Sequence, residues 1–70
     1  MKLFVNGEPR ESEAQTVEAL FLSEAEETGL EGPQGIAIAL NGTVLRRRDW
    51  GETPITPGDR IEIVRAMQGG

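Results

Sequence analysis

Neither cysteine nor histidine occurs anywhere in the 70 residues. Without cysteine there is no disulfide framework, no thiolate metal site and no thiol nucleophile. Without histidine the chain lacks the usual general base near neutral pH and the commonest metal ligand. Apolar runs are only a few residues long, so no segment reads as a membrane span. No charged-then-apolar leader precedes the first strand-like residues, and a cytoplasmic location is expected. No GxxxxGK[ST] or GxGxxG loop is present to cradle a nucleotide phosphate. Basic residues are few, seven Lys and Arg against twelve Asp and Glu, for a net charge of -5. A phosphate backbone would repel such a chain, so no nucleic-acid partner is expected. Solubility accounts for the charge, and steering toward a basic partner is the functional alternative.

What remains fits one small domain. Residues 2–6, KLFVN, are strand formers, and Asn6-Gly7 signals a hairpin into a second strand over about 8–13. Pro9 suits that strand to a sheet edge. Leu3 and Val5 share one face, and Phe4 points the other way. Thr16 is the expected N-cap of a helix over VEALFLSEAEET, with Glu18 in the first turn. Val17, Leu20, Phe21 and Ala25 form its apolar stripe, while Glu24, Glu26 and Glu27 are expected to face water. These glutamates lack the ligand spacing of a calcium loop. Gly29 fits the helix C-terminus, with Leu30 packing back on Ala25.

EGPQG, residues 31–35, reads as a loop, and IAIALN as a strand turning at Asn41-Gly42 into Thr43-Val44-Leu45. RRRDWGETPITPGD reads as irregular, anchored by Trp50 and Ile55. Arg46, Arg47 and Arg48 offset the acidic charge or contact a partner, and Asp59 reads as a turn residue. The last strand is RIEIVRAM, with Ile61 and Ile63 toward the core. The order strand, strand, helix, strand, strand, long loop, strand predicts an α+β sheet of four or five strands with the helix on one side. The expected core is Leu3, Val5, Val17, Leu20, Phe21, Ile36, Ile38, Leu40, Ile61 and Ile63. The opposite sheet face is left with Phe4, Ala37, Ala39, Val64 and Ala66, a shallow apolar group suited to docking a partner.

The sequence finishes in Gly69-Gly70. Glycine has no Cβ and passes a narrow channel that a side chain would block. A domain over 1–66 with a flexible tail over 67–70 would present its terminal carboxylate for insertion into another protein. A carboxylate oxygen is a poor leaving group. The partner must therefore activate it, most simply as an acyl-adenylate, with ATP bound by that partner and no cofactor bound here.

The chain resembles the ubiquitin-like β-grasp family, and within it the sulfur carriers of thiamine biosynthesis, the ThiS family. MKLFVNG, QTVEALF, IALNGTVLRRRDW and PGDRIEIVRAMQGG carry the resemblance over nearly the whole length. The ordered pattern is Asn41-Gly42, Arg47, Trp50, Gly58-Asp59 and Gly69-Gly70, and the EGPQG link looks slightly long for the family. The resemblance implies a β-grasp sheet and a protein co-substrate with no catalytic residue of its own. An E1-like (ThiF-like) adenylyltransferase would activate Gly70, a persulfide donor would supply sulfur, and a thiazole synthase (ThiG-like) would accept it from the thiocarboxylate. Met67, Gln68 and Gly69 would line the tail insertion. Phe4, Ala37, Ala39, Val64, Ala66 and Arg47 would meet the partners, and the free protein would be a monomer. Two related readings stay open: a small subunit of molybdopterin synthase, and a modifier conjugated to lysines.

Overall fold

Two Asn-Gly turns set the register of the sheet. A computed structural model describes residues 1–29 and 34–65. Strand β1, Lys2–Val5, turns through Asn6 and Gly7 into β2, Glu8–Glu11. Strand β3, Ile36–Leu40, turns through Asn41 and Gly42 into β4, Thr43–Leu45. Both turns have left-handed backbone at each central residue, with φ of 53° and 82° in the first and 51° and 88° in the second. That is the geometry whose twist matches a two-residue hairpin, and a β-branched residue there would be strained. Strand β2 ends two residues before the expected 13. The Ser12 hydroxyl oxygen accepts the Ala14 N–H at 3.0 Å and turns the chain out of the sheet.

The sheet order is β2-β1-β5-β3-β4, where β5 spans Arg60–Arg65. Strand β5 runs parallel to β1 and antiparallel to β3. A parallel neighbour requires a crossover, which the intervening helix and second hairpin provide. Pro9, which has no N–H to give a further strand, sits on the edge strand β2 as expected. The expected continuation of the last strand through Ala66 and Met67 lies outside the described residues.

Helix α1 spans Val17–Thr28. The Thr16 hydroxyl accepts the Ala19 N–H at 3.2 Å, satisfying one of the orphan donors of the first turn. Gly29, at φ 77°, closes the helix with its N–H on the Ala25 carbonyl. Leu30, expected against Ala25, is outside the described residues. One expectation is corrected. Glu24 does not face water but is buried, with its Oε1 3.4 Å from Arg10 Nη2. It follows Leu20 and Phe21 by four and three residues, which puts it on their stripe. Arg10, in register with Leu3, points to that same side of the sheet.

The segment after β4 is also more regular than expected, because Arg47–Glu52 forms a 3-10 helix. Its tight turn drives Trp50 inward. The indole lies 5.2 Å from the Phe21 ring, and its N–H donates to the Leu45 carbonyl at 3.3 Å. Trp50 and Ile55 are buried as anchors of the loop. The buried core is Leu3, Val5, Val17, Leu20, Phe21, Ala25, Ile38, Trp50, Ile55 and Ile61. Ile36, Leu40 and Ile63, expected within it, are only partly buried against it. A twelve-residue helix is about 18 Å long and cannot roof a five-stranded sheet to its ends.

Candidate functional site

Side-chain alternation leaves one face of the sheet without a helix. Along β1, Leu3 and Val5 are buried while Lys2 is exposed and Phe4 half-buried between them. Paired residues of neighbouring strands share a face. The open face therefore carries Phe4 beside Arg60, Ala39 between Glu62 and Val44, and Ala37 beside Val64. Val64 is 56% exposed and Val44 71%. The structure thus brings Ala37, Ala39 and Val64 together. Phe4 belongs to the same face but is level with Arg60, about 13 Å along β5 from Val64. Arg60 and Glu62 lie between, so the face is an apolar patch joined to a charged strip. Phe4, Arg60 and Glu62 also line a shallow depression with Gly7, Asn41 and Gly42.

Val44 is the residue that the sequence reading passed over. A two-residue turn pairs Leu40 with Thr43, and so Ala39 with Val44. That register rule was the available signal. Arg47 lies apart from the patch, on the 3-10 helix that packs against α1. Its guanidinium carbon stands 6.0 Å from the Trp50 ring centre, at cation–π distance. Ala66, Met67, Gln68, Gly69 and Gly70 lie outside the described residues, but Ala66 follows directly on Arg65, the last residue of β5.

Two asparagine side chains hold β5. Asn6 Oδ1 accepts the Ile63 N–H at 2.8 Å, and Asn41 Oδ1 accepts the Arg60 N–H at 2.9 Å. Asn41 Nδ2 also donates to Asp59 Oδ1 at 3.1 Å. Asp59 Oδ2 accepts the Thr56 N–H at 2.8 Å, and Oδ1 accepts the Thr56 hydroxyl at 3.1 Å. The Thr56 backbone bond, helped by the Asn41 and Thr56 side chains, holds the Asp59 carboxyl below its ordinary value against the opposing effect of burial. Asp59 is thus the turn residue expected, fully engaged in bonding its own loop. Among the described residues no three His, Cys, Asp or Glu side chains group as a metal site, and no helix is long and apolar enough to cross a membrane.

The ThiS family model matches residues 3–70. The sulfur carrier protein ThiS of Thermus thermophilus is 35% identical over 68 residues, covering 97% of this chain and 98% of its own. A thiazole synthase of Magnetococcus marinus is 35% identical over 72 residues; these span all of this chain but only 20% of that protein. The crystal structure of a thiamine biosynthesis protein (ThiS) from Geobacter metallireducens superposes with a TM-score of 0.77 at 29% identity, covering 100% of both chains. A solution structure of a thiamine biosynthesis protein from the same organism gives 0.71 at 29% identity, covering 100% of this chain and 88% of that one. The mixed five-stranded sheet with one helix is accordingly a β-grasp fold.

Proposed function

The chain belongs to the ThiS family of sulfur carriers in thiamine biosynthesis, and on that premise we propose that its Gly70 carboxylate is the group that carries the sulfur. Residues 1–66 act as the folded handle and 67–70 as the tail. The tail enters an E1-like adenylyltransferase, with Met67, Gln68 and Gly69 in the channel. A carboxylate oxygen attacks the α-phosphorus of ATP held by that enzyme, and pyrophosphate leaves. The acyl-adenylate carbon is then electrophilic enough for a persulfide sulfur, and AMP departs. A thiol cleaves the resulting acyl disulfide and releases the thiocarboxylate. A thiazole synthase accepts the sulfur. In this reading the protein is a co-substrate, monomeric when free, that contributes no catalytic side chain and binds no cofactor itself.

The single observation that supports this most directly is the family match reaching Gly70 from Leu3, through the Gly-Gly pair. The thiazole synthase of Magnetococcus marinus, with a stretch similar to this whole chain in one-fifth of its length, supports that enzyme class as the acceptor. The apolar patch of Ala37, Ala39 and Val64 on β3 and β5 is the proposed docking surface, with Phe4, Ala66 and Arg47 as outlying contacts.

The test is reconstitution with ATP, a ThiF-like adenylyltransferase and a persulfide donor, followed by intact mass. The full chain is expected to gain about 16 Da as sulfur replaces one terminal oxygen. The chain lacking Gly70 is expected to fold and to gain nothing. Equal thiocarboxylation of the shortened chain overturns the assignment, and a ladder of conjugates on other proteins supports the modifier reading instead.

A further inference from the structure

Glu62 borders the apolar patch of the open face directly. It is in register with Ala39 on β3, and Val64 follows two residues on along β5, on the same side of the sheet. Opposed side chains in neighbouring strands stand about 5 Å apart at Cβ. Successive residues on one face of a strand are about 7 Å apart. A partner that covers Ala39 and Val64 therefore also covers the Glu62 carboxylate.

Nothing in the chain neutralises that carboxylate. Glu62 is exposed, and among the described residues it enters no ion pair and no side-chain hydrogen bond. The other residues, 30–33 and 66–70, contain no lysine or arginine. Arg60 shares the face but stands beside Phe4, where it lines the shallow depression, and forms no ion pair with Glu62. In the free protein water solvates the carboxylate at no cost. Under a partner that water is lost, and the loss is substantial unless a cation replaces it.

We infer that Glu62 is a specificity-determining contact, met by a lysine or arginine on the protein seated on the open face. That protein is the adenylyltransferase of the reading above, on which the inference rests. Its matching surface is apolar against Ala37, Ala39 and Val64 and basic beside them, opposite Glu62. The apolar part supplies the driving force for docking. The charge pair fixes the orientation, because an apolar patch alone is indifferent to rotation and a buried charge pair is not.

The sign of one neutral substitution separates this from a bystander charge. Glu62→Gln keeps the shape and removes the charge. If the carboxylate is merely stripped of water on docking, its removal tightens binding. If a partner cation faces it, its removal strands that cation and loosens binding. Titration calorimetry of the full chain with the adenylyltransferase gives Kd, and pyrophosphate release with ATP reports adenylation in parallel. Glu62→Gln is expected to raise Kd roughly tenfold or more, and Glu62→Lys to raise it further. Added salt is expected to weaken the wild type more than Glu62→Gln. Glu26→Gln, an equal change of charge on the exposed side of the helix, is expected to stay within about twofold. All three positions of change are exposed, so each variant is expected to melt within about 3 °C of wild type. An unchanged or lower Kd for Glu62→Gln overturns the inference, as does an equal rise for Glu26→Gln or a wild type that does not bind the enzyme. If the wild type binds but releases no pyrophosphate, the adenylation reading falls, while the Kd comparison still decides the role of Glu62.

Discussion

Asp59 shows what one loop carboxylate contributes here. Its bonds from the Thr56 N–H and hydroxyl and from Asn41 tie the loop before β5 to the second hairpin. Its carboxyl is held below the ordinary value of 3.8, chiefly by the Thr56 backbone N–H. A carboxyl whose folded pKa is depressed contributes stability above its unfolded pKa, and that contribution is lost as pH falls through the folded pKa. Asp59→Asn is therefore expected to melt a few degrees below wild type at neutral pH, with the gap closing as pH falls below the ordinary carboxyl value of 3.8. Comparing the two proteins at each pH cancels the other carboxylates, and a gap that stays constant into acid would refute the account. Asp59 was legible as a turn residue because Gly-Asp after proline is turn chemistry. Glu24 was not legible. Its helical position alone marks it for the buried stripe, but a glutamate is normally assigned to water unless a partner is known. Arg10 lies fourteen residues away in sequence, and only the β1–β2 register reveals it.

Among the elements, the 3-10 helix is the one the sequence concealed. RRRDWGET contains neither a helical apolar period nor a cap signal, so local pattern gave no reason to expect order. The order comes from the burial of Trp50 against Phe21, a tertiary contact. The helix, the two hairpins and β5 were readable because each carries its own local signal: the Thr16 cap, the Asn-Gly pairs, and the alternating isoleucines. Only the strand ends shifted, where a hydroxyl such as that of Ser12 competes for the backbone. The dependence on Trp50 is testable. Replacing it with alanine is expected to cost about 3–5 kcal/mol, comparable to the stability that a core of this size supplies. Trp50→Ala should therefore show no cooperative thermal transition by circular dichroism. Trp50→Phe fills most of the volume and loses chiefly the bond to the Leu45 carbonyl, so it should melt cooperatively at a lower temperature. If the alanine variant melted within a few degrees of wild type, Trp50 would not be the anchor of this segment.

At the scale of the whole molecule, the division of labour lies between two faces of one sheet. The helix side holds nearly all the large apolar side chains and supplies the stability. The open side keeps small or exposed ones, Ala37, Ala39, Val44 and Val64, on the strands nearest the chain's exit from β5. Surface substitutions away from special features usually change stability by about 0.5 kcal/mol or less. A charge placed at Val64, 56% exposed, should therefore leave the fold intact, while a partner that desolvates this face must bury that charge unpaired, at substantial cost. Val64→Asp is expected to melt within about 3 °C of wild type. It should also raise the half-saturating concentration for thiocarboxylation at least tenfold, with the rate at saturation little changed. Val44→Asp, at the outer edge of the patch on β4, should have a weaker effect of the same kind. If Val64→Asp folds and is thiocarboxylated with unchanged kinetics, the partners hold the molecule by some other surface.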